Sequence, residues 1–390
     1  MQRGQGGRRN IRCAGLVMLG VLAACAAHGA SDAAPPDASV LSETMTPADA
    51  EPQTTPPTTA PAPLPVPSVS AGPATTIVAP PLIPPAIASN PVPVVVAPPA
   101  VAPAVVEAPV VVRAPQPPTA GGIVESRSTT VSGFGRSWTV VTPTAPGAKR
   151  PLIIVLHGRG GTGAAMRTLG FDELVGNAGA VVAYPDALGG SWNDGRSGVD
   201  AMANQQKIDD VGFVQTIIAD AVVHDGVDQQ RVALVGHSNG AMLAAKVGCI
   251  HADQVSALVL VSGVGGAELP DTCKPSRPVS VLETHGLRDP MVPYNGGQVG
   301  SVDGRARGAA APVKTMLDLW RSQDGCADVT DRVIPGTVPV VTEQTSTGCK
   351  AGIEVVHFRF DDPTHGWPTL TGWDASSAAK KFLARHLALV

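Results

Sequence analysis

The amino-acid sequence predicts an α/β architecture for its C-terminal part: a mostly parallel sheet with helices on both faces. Two observations carry that reading. Short apolar runs recur without polar alternation, and helix-like stretches separate several of them. A run with no polar alternation suits a strand buried on both faces, as parallel strands are. Strands are expected at 137–141, 152–157, 181–184, 232–235, 257–262, 279–282 and 355–360, and helices at 211–224, 241–249, 311–322 and 376–388. In sheets of this kind ligands bind beyond the carboxyl ends of the strands, so the loops that follow the runs are where chemistry is sought.

The preceding third of the chain has another character. Arg3, Arg8, Arg9 and Arg12 precede an apolar stretch over 14–24, too short to span a bilayer, which reads as a signal segment over 1–24. Leu22-Ala23-Ala24-Cys25 resembles the bacterial lipobox, so Cys25 is expected to carry lipid and to anchor the mature chain to a membrane. Residues 31–120 hold 24 of the 38 prolines and few charges. Proline removes backbone donors and favours extended polyproline II, so 25–121 is expected to be a disordered stalk that carries a domain at 122–390. The net charge of −4 with basic residues scattered beyond the signal segment gives no sign of a nucleic-acid partner, and none is expected. With Cys13 in the signal and Cys25 lipidated, Cys249, Cys273, Cys326 and Cys349 form an even set suited to an oxidising, exported location in the cell envelope. They allow three pairings. Sequence proximity favours Cys249 with Cys273 and Cys326 with Cys349, with free buried thiols as the alternative. No C-x-x-C pair is present, so neither a metal site nor a redox motif is expected.

Four segments bear chemistry. Gly236-His237-Ser238-Asn239-Gly240 falls between the apolar run 232–235 and a helical stretch, the place of a nucleophile elbow, where small flanking residues keep strand and helix clear of an exposed serine. His157-Gly158-Arg159-Gly160-Gly161 follows the strand run at 152–157 and suits an oxyanion site, with backbone N–H groups at Arg159 and, after the nucleophile, at Asn239. The loop lacks the Gly-Lys-Ser/Thr of a phosphate-binding P-loop. Asp289 lies just past the strand run at 279–282 and can orient an imidazole, with Glu283 as a weaker competitor nearer the strand. His365 follows the last strand and is the best base candidate. His357 falls within that strand, and His224, His251 and His386 fall in or near helices.

Over roughly 123–390 these residues resemble α/β-hydrolase esterases related to polyhydroxybutyrate depolymerases and feruloyl esterases, including lipoprotein members. The resemblance is carried by 156–161, Trp192-Asn193-Asp194-Gly195-Arg196, Asp209-Asp210-Val211-Gly212-Phe213, 228–242, 285–295 and 365–368. It implies the α/β-hydrolase fold, Ser238 as nucleophile, His365 as base and then acid, Asp289 as the orienting carboxylate, and no metal or organic cofactor. It further implies an ester substrate, with Trp192, Tyr294 and Trp367 lining its pocket. Asp209 and Asp210 are expected to cap the following helix rather than to act. The chain departs from many relatives at Ser191, where they have a cysteine, and at Pro363-Thr364, where they have Gly-Gly. The expected activity is that of a serine carboxylesterase acting on short-chain acyl, hydroxyalkanoate or feruloyl esters. An envelope acyltransferase with the same acyl-enzyme and a lipid-anchored binding module without catalysis are the alternatives.

Overall fold

Residues 151–156 are all buried in a computed structural model that describes residues 111–119, 122–350 and 352–389. The expected signal segment, Cys25 and most of the expected stalk lie outside the described residues. Among the described residues the main sheet has eleven strands. These are β1 (Val112–Thr119), β2 (Gly122–Val131), β3 (Phe134–Thr142), β4 (Arg150–Leu156), β5 (Val181–Pro185), β6 (Val227–His237), β7 (Ala257–Val261), β8 (Ser280–Gly286), β9 (Asp328–Ile334), β10 (Val341–Thr347) and β11 (Val355–Phe360). Their spatial order is β1-β2-β3-β5-β4-β6-β7-β8-β11-β10-β9. The central strands from β5 to β11 run parallel, and the strands on both flanks are antiparallel.

The unbroken apolar runs follow from burial on both faces. Leu152, Ile154 and Leu156 of β4 pack on one side with Phe213, Val214 and Ile217 of α1 (Asp210–His224), Leu243 of α2 (Asn239–Ile250) and Trp320 of α3 (Val313–Asp324). Ile153 and Val155 pack on the other side with Phe171, Leu174 and, from α4 (Ala375–His386), Phe382 and Leu383. Asp209 caps its helix as expected, accepting from Gly212 N at 2.8 Å, and Asp374 likewise accepts from Ser377 N at 2.8 Å. Asp210 has a different task. Fully buried, it pairs with Arg136 of β3 at 2.6 Å and accepts from Asn193 N at 2.6 Å, while the Arg136 guanidinium lies 4.0 Å from the Phe213 ring centre.

Two findings depart from the sequence reading. The boundary expected between 121 and 122 is corrected, because Val112–Thr119 forms an antiparallel edge strand on β2. Prolines are tolerated there because an edge strand leaves one row of backbone groups unpaired, and Pro117 and Pro118 fall where the pairing register breaks between Gln116 and Thr119. The polar hairpin of β9 and β10, paired from Asp328–Thr347 to Ile334–Val341, has no apolar run to announce it. The cysteines pair as Cys249–Cys273 and Cys326–Cys349.

Removing one member of a buried ion pair leaves an uncompensated charge. Arg136→Met is therefore expected to lower unfolding free energy by about 3–5 kcal/mol in a urea titration. Asp324, at the end of α3, is fully buried and takes one hydrogen bond, from Val279 N at 3.1 Å; burial pushes its carboxyl from 3.8 up to about 7. The folded state thus holds this proton where the unfolded state has lost it. Its contribution to stability falls as pH rises from about 4 to about 7, by up to about 4 kcal/mol. Asp324→Asn is expected to remove that slope when unfolding free energies of the two proteins are compared across this range.

Candidate functional site

β6 ends by turning directly into α2, and Ser238 sits on the turn with φ 53° and ψ −117°, a left-handed backbone that serine rarely adopts. Close packing forces the glycines on either side. A Cβ on Gly236 would lie 2.5 Å from Ala241 Cα, and one on Gly240 would lie 2.5 Å from the carbonyl oxygens of Leu156 and His157. Ser238 N donates to Val261 O at 2.7 Å, which ties the turn to β7.

The other chemistry-bearing residues arrive from loops after β8 and β11. His365 Nε2 lies 2.8 Å from Ser238 Oγ, and His365 Nδ1 lies 2.7 Å from Asp289 Oδ2. The second carboxylate oxygen, Asp289 Oδ1, accepts from Met291 N at 2.8 Å and Val292 N at 2.9 Å. Burial works against the charge on Asp289, but the bonds from His365 and these two amides outweigh it and hold the carboxyl below its ordinary range. An anionic Asp289 favours the tautomer with hydrogen on Nδ1, leaving Nε2 free to accept from Ser238. His237 stacks on His365 with ring centres 5.5 Å apart. Burial, reinforced by His365, pushes His237 down to about 4, so it adds no charge beside His365 at neutral pH.

Glu283 does not compete with Asp289 for His365. It is wholly buried, 3.0 Å from His285 Nδ1 and 2.6 Å from His357 Nδ1. His285 Nε2 donates to Val292 O at 2.9 Å, and that nitrogen lies 3.5 Å from Asp289 Oδ2. Burial disfavours the His285 cation, but Glu283, the Val292 carbonyl and Asp289 outweigh it, raising its pKa. This second histidine–carboxylate system braces the turn that supplies Asp289. The sequence separates Glu283 and His285 by one residue, which suggests nothing of that bracing role.

The glycine loop after β4 is held by side chains. Ala187 N donates to His157 Nε2 at 3.0 Å, so the Nδ1 hydrogen is directed at Gly158 O, 2.7 Å away. Trp192 Nε1 donates to His157 O at 2.8 Å. The Asn239 side chain clamps the tryptophan's own backbone, accepting from Trp192 N at 2.8 Å and donating to Trp192 O at 3.1 Å and to Asp194 Oδ2 at 2.6 Å. Asn239 opens α2, where a backbone N–H has no carbonyl one turn earlier to meet.

Ser238 and His365 face a cavity of about 300 Å³ whose lining includes Arg159, Asn239, Met242, Met291 and Val292. The expectation for Trp192 is corrected: at 0% exposure it packs in the core, because its indole N–H and both its backbone groups are spent on fastening the loop and elbow. Tyr294 and Trp367 are half-buried and lie outside that lining. Tyr294 OH meets His357 Nε2 at 2.9 Å, and Trp367 Nε1 donates to Ser376 Oγ at 2.9 Å. The methionines and valines that line the cavity instead come from α2 and the 291–302 loop, and carried no signal in the sequence beyond being apolar. Ser191, where relatives carry cysteine, lies 3.3 Å from Asn239 Oδ1 and within 3.4 Å of Arg159 Nη1.

A family model described as the alpha/beta hydrolase fold matches residues 151–316. The chain has the α/β-hydrolase fold. NocK of Nocardia uniformis subsp. tsuyamanensis, an esterase by assignment, is 27% identical over 256 residues, covering 62% of this chain and 74% of that protein. Feruloyl esterase B of Piromyces equi is 31% identical over 183 residues, 45% of this chain and only 33% of that enzyme. The solved acetyl xylan esterase from Aspergillus awamori aligns with a TM-score of 0.44 at 12% identity, covering 64% of this chain and 94% of that one.

In this fold the Asn239 side chain joins the turn at Ser238 to the Trp192–Asp194 segment. Asn239→Ala keeps the backbone amide but strands the buried N–H and carbonyl of Trp192, while Asp194 keeps Arg196, and is expected to lower unfolding free energy by about 2–4 kcal/mol in chemical denaturation.

Proposed function

We propose that the chain is a serine carboxylesterase in which Ser238, His365 and Asp289 form the catalytic triad. The observation that carries the proposal is the continuous hydrogen-bonded line from Ser238 Oγ through His365 to Asp289, with distances of 2.8 and 2.7 Å, at the carboxyl end of a parallel sheet. Their chain order, serine then aspartate then histidine, is the order of α/β hydrolases. The esterases among the relatives support the same reading.

The chemistry proceeds as follows. His365 Nε2 takes the hydroxyl proton as Ser238 Oγ adds to the ester carbonyl, and the amides of Arg159 and Asn239 receive the developing oxyanion. Asp289 stabilises the imidazolium. The proton passes to the departing alcohol, leaving an acyl group on Ser238. Water, deprotonated by His365, then adds to the acyl carbonyl; the tetrahedral intermediate collapses, the acid leaves, and Ser238 recovers its proton. Short-chain acyl, hydroxyalkanoate and feruloyl esters are the candidate substrates. Export to the cell envelope with a lipid at Cys25 accords with the two disulfides, which persist in oxidising compartments.

A fluorophosphonate probe is expected to label the wild type at Ser238 and to leave Ser238→Ala unlabelled; an unlabelled wild type ends the proposal. On a panel of 4-nitrophenyl esters, methyl ferulate and hydroxybutyrate oligomers, Ser238→Ala is expected to lose about 10⁴-fold or more in kcat. Asp289→Asn is expected to lose about 10⁴-fold, because its amide no longer selects the required tautomer of His365.

A further inference from the structure

The cavity beside Ser238 holds more positive charge than ester hydrolysis needs. Arg159, Arg196 and Arg307 line it, with Asp303 as the acidic residue among its lining. Arg196 is committed to Asp194 at 2.8 Å and to the Arg307 carbonyl at 2.7 Å. Arg307 is ion-paired with Asp303 through Nη2, while its Nη1 is buried without a hydrogen-bond partner. Arg159 is the uncommitted one. Its Nη1 and Nη2 reach only Ser191 Oγ and Asp200 O, each at 3.4 Å, and among the described residues it joins no ion pair. Burial, followed by the positive charges of Arg307, Arg196 and Arg305 against Asp303, holds its guanidinium below the ordinary range.

A half-buried guanidinium with its planar fork unpaired matches a carboxylate, which it can hold through two parallel bonds. The rest of the lining fits the body of such a molecule. Met242, Met291, Val292 and Val299 offer apolar surface beside the polar end, and about 300 Å³ suits a short chain of carbons. We infer that Arg159, backed by Arg307, is a carboxylate subsite, and that the preferred substrates are esters with a free acid end: half-esters of dicarboxylic acids, or ester-linked hydroxy acids ending in a carboxyl group. The inference rests on Ser238 as the nucleophile of the proposed esterase.

The wild type is expected to favour 4-nitrophenyl hydrogen adipate over 4-nitrophenyl methyl adipate by about tenfold to a hundredfold in kcat/KM. The preference resides in KM and shrinks with added salt. Arg159→Gln is read by the ratio of the two esters, which cancels any common loss from disturbing the loop amide, and the ratio is expected to fall to near one. Binding separates this inference from the esterase reading. By calorimetry the Ser238→Ala protein is expected to bind methyl hydrogen adipate at least tenfold more tightly than dimethyl adipate, whether or not the wild type turns over either ester. Indistinguishable binding of the two by Ser238→Ala, or an unchanged preference in Arg159→Gln, overturns it.

Discussion

The backbone of Ser238, held at φ 53° where β6 gives way to α2, is the constraint on which the rest of the site depends. An isolated serine leaves that conformation readily, at a cost of order 1–3 kcal/mol for keeping it there. It persists because the strand on one side is buried between neighbours on both edges, and the helix on the other packs against the sheet at near contact. Gly236 and Gly240 permit that contact: a methyl group at either would meet backbone rather than a side chain able to move. The strain exposes the hydroxyl at the end of the sheet and turns the start of α2 toward the same cavity.

Around this turn the buried polar groups act as fasteners between elements that the sheet does not itself connect. Asn239 holds the segment carrying Trp192 and Asp194, Trp192 holds the glycine loop through the His157 carbonyl, and Asp210 joins Asn193 to Arg136 at the other flank. Each of these groups would be costly to bury alone, so each is found with a partner. The result is a loop whose backbone is positioned from behind, leaving the side facing the cavity free for a ligand.

Two histidine–carboxylate systems stand side by side, and their surroundings separate their tasks. Asp289 has one oxygen occupied by loop amides and one left for His365, which is itself partly open to the cavity. Glu283 is sealed among His285 and His357 with no access to Ser238. Glu283 lies within the strand that Asp289 follows, and only their environments set the two carboxylates apart.

The central strands, the four long helices and the elbow between strand and helix were legible in the sequence, because burial on both faces demands unbroken apolar runs and a sharp turn demands small residues. Asp289 and His365 were legible as loop residues just past strands. Other features were decided only by tertiary structure. An edge strand accepts prolines because one of its sides is unpaired, so Val112–Thr119 was concealed by the composition that makes the preceding stretch look like a spacer. Trp192 was misjudged since nearness in sequence to a reactive segment does not say which way an indole points; its hydrogen bonds turned it into the core. The cavity wall of methionines, valines and arginines is assembled from segments far apart in the chain, and Arg159 is left without an ion pair where Asp194 and Asp303 are taken by Arg196 and Arg307.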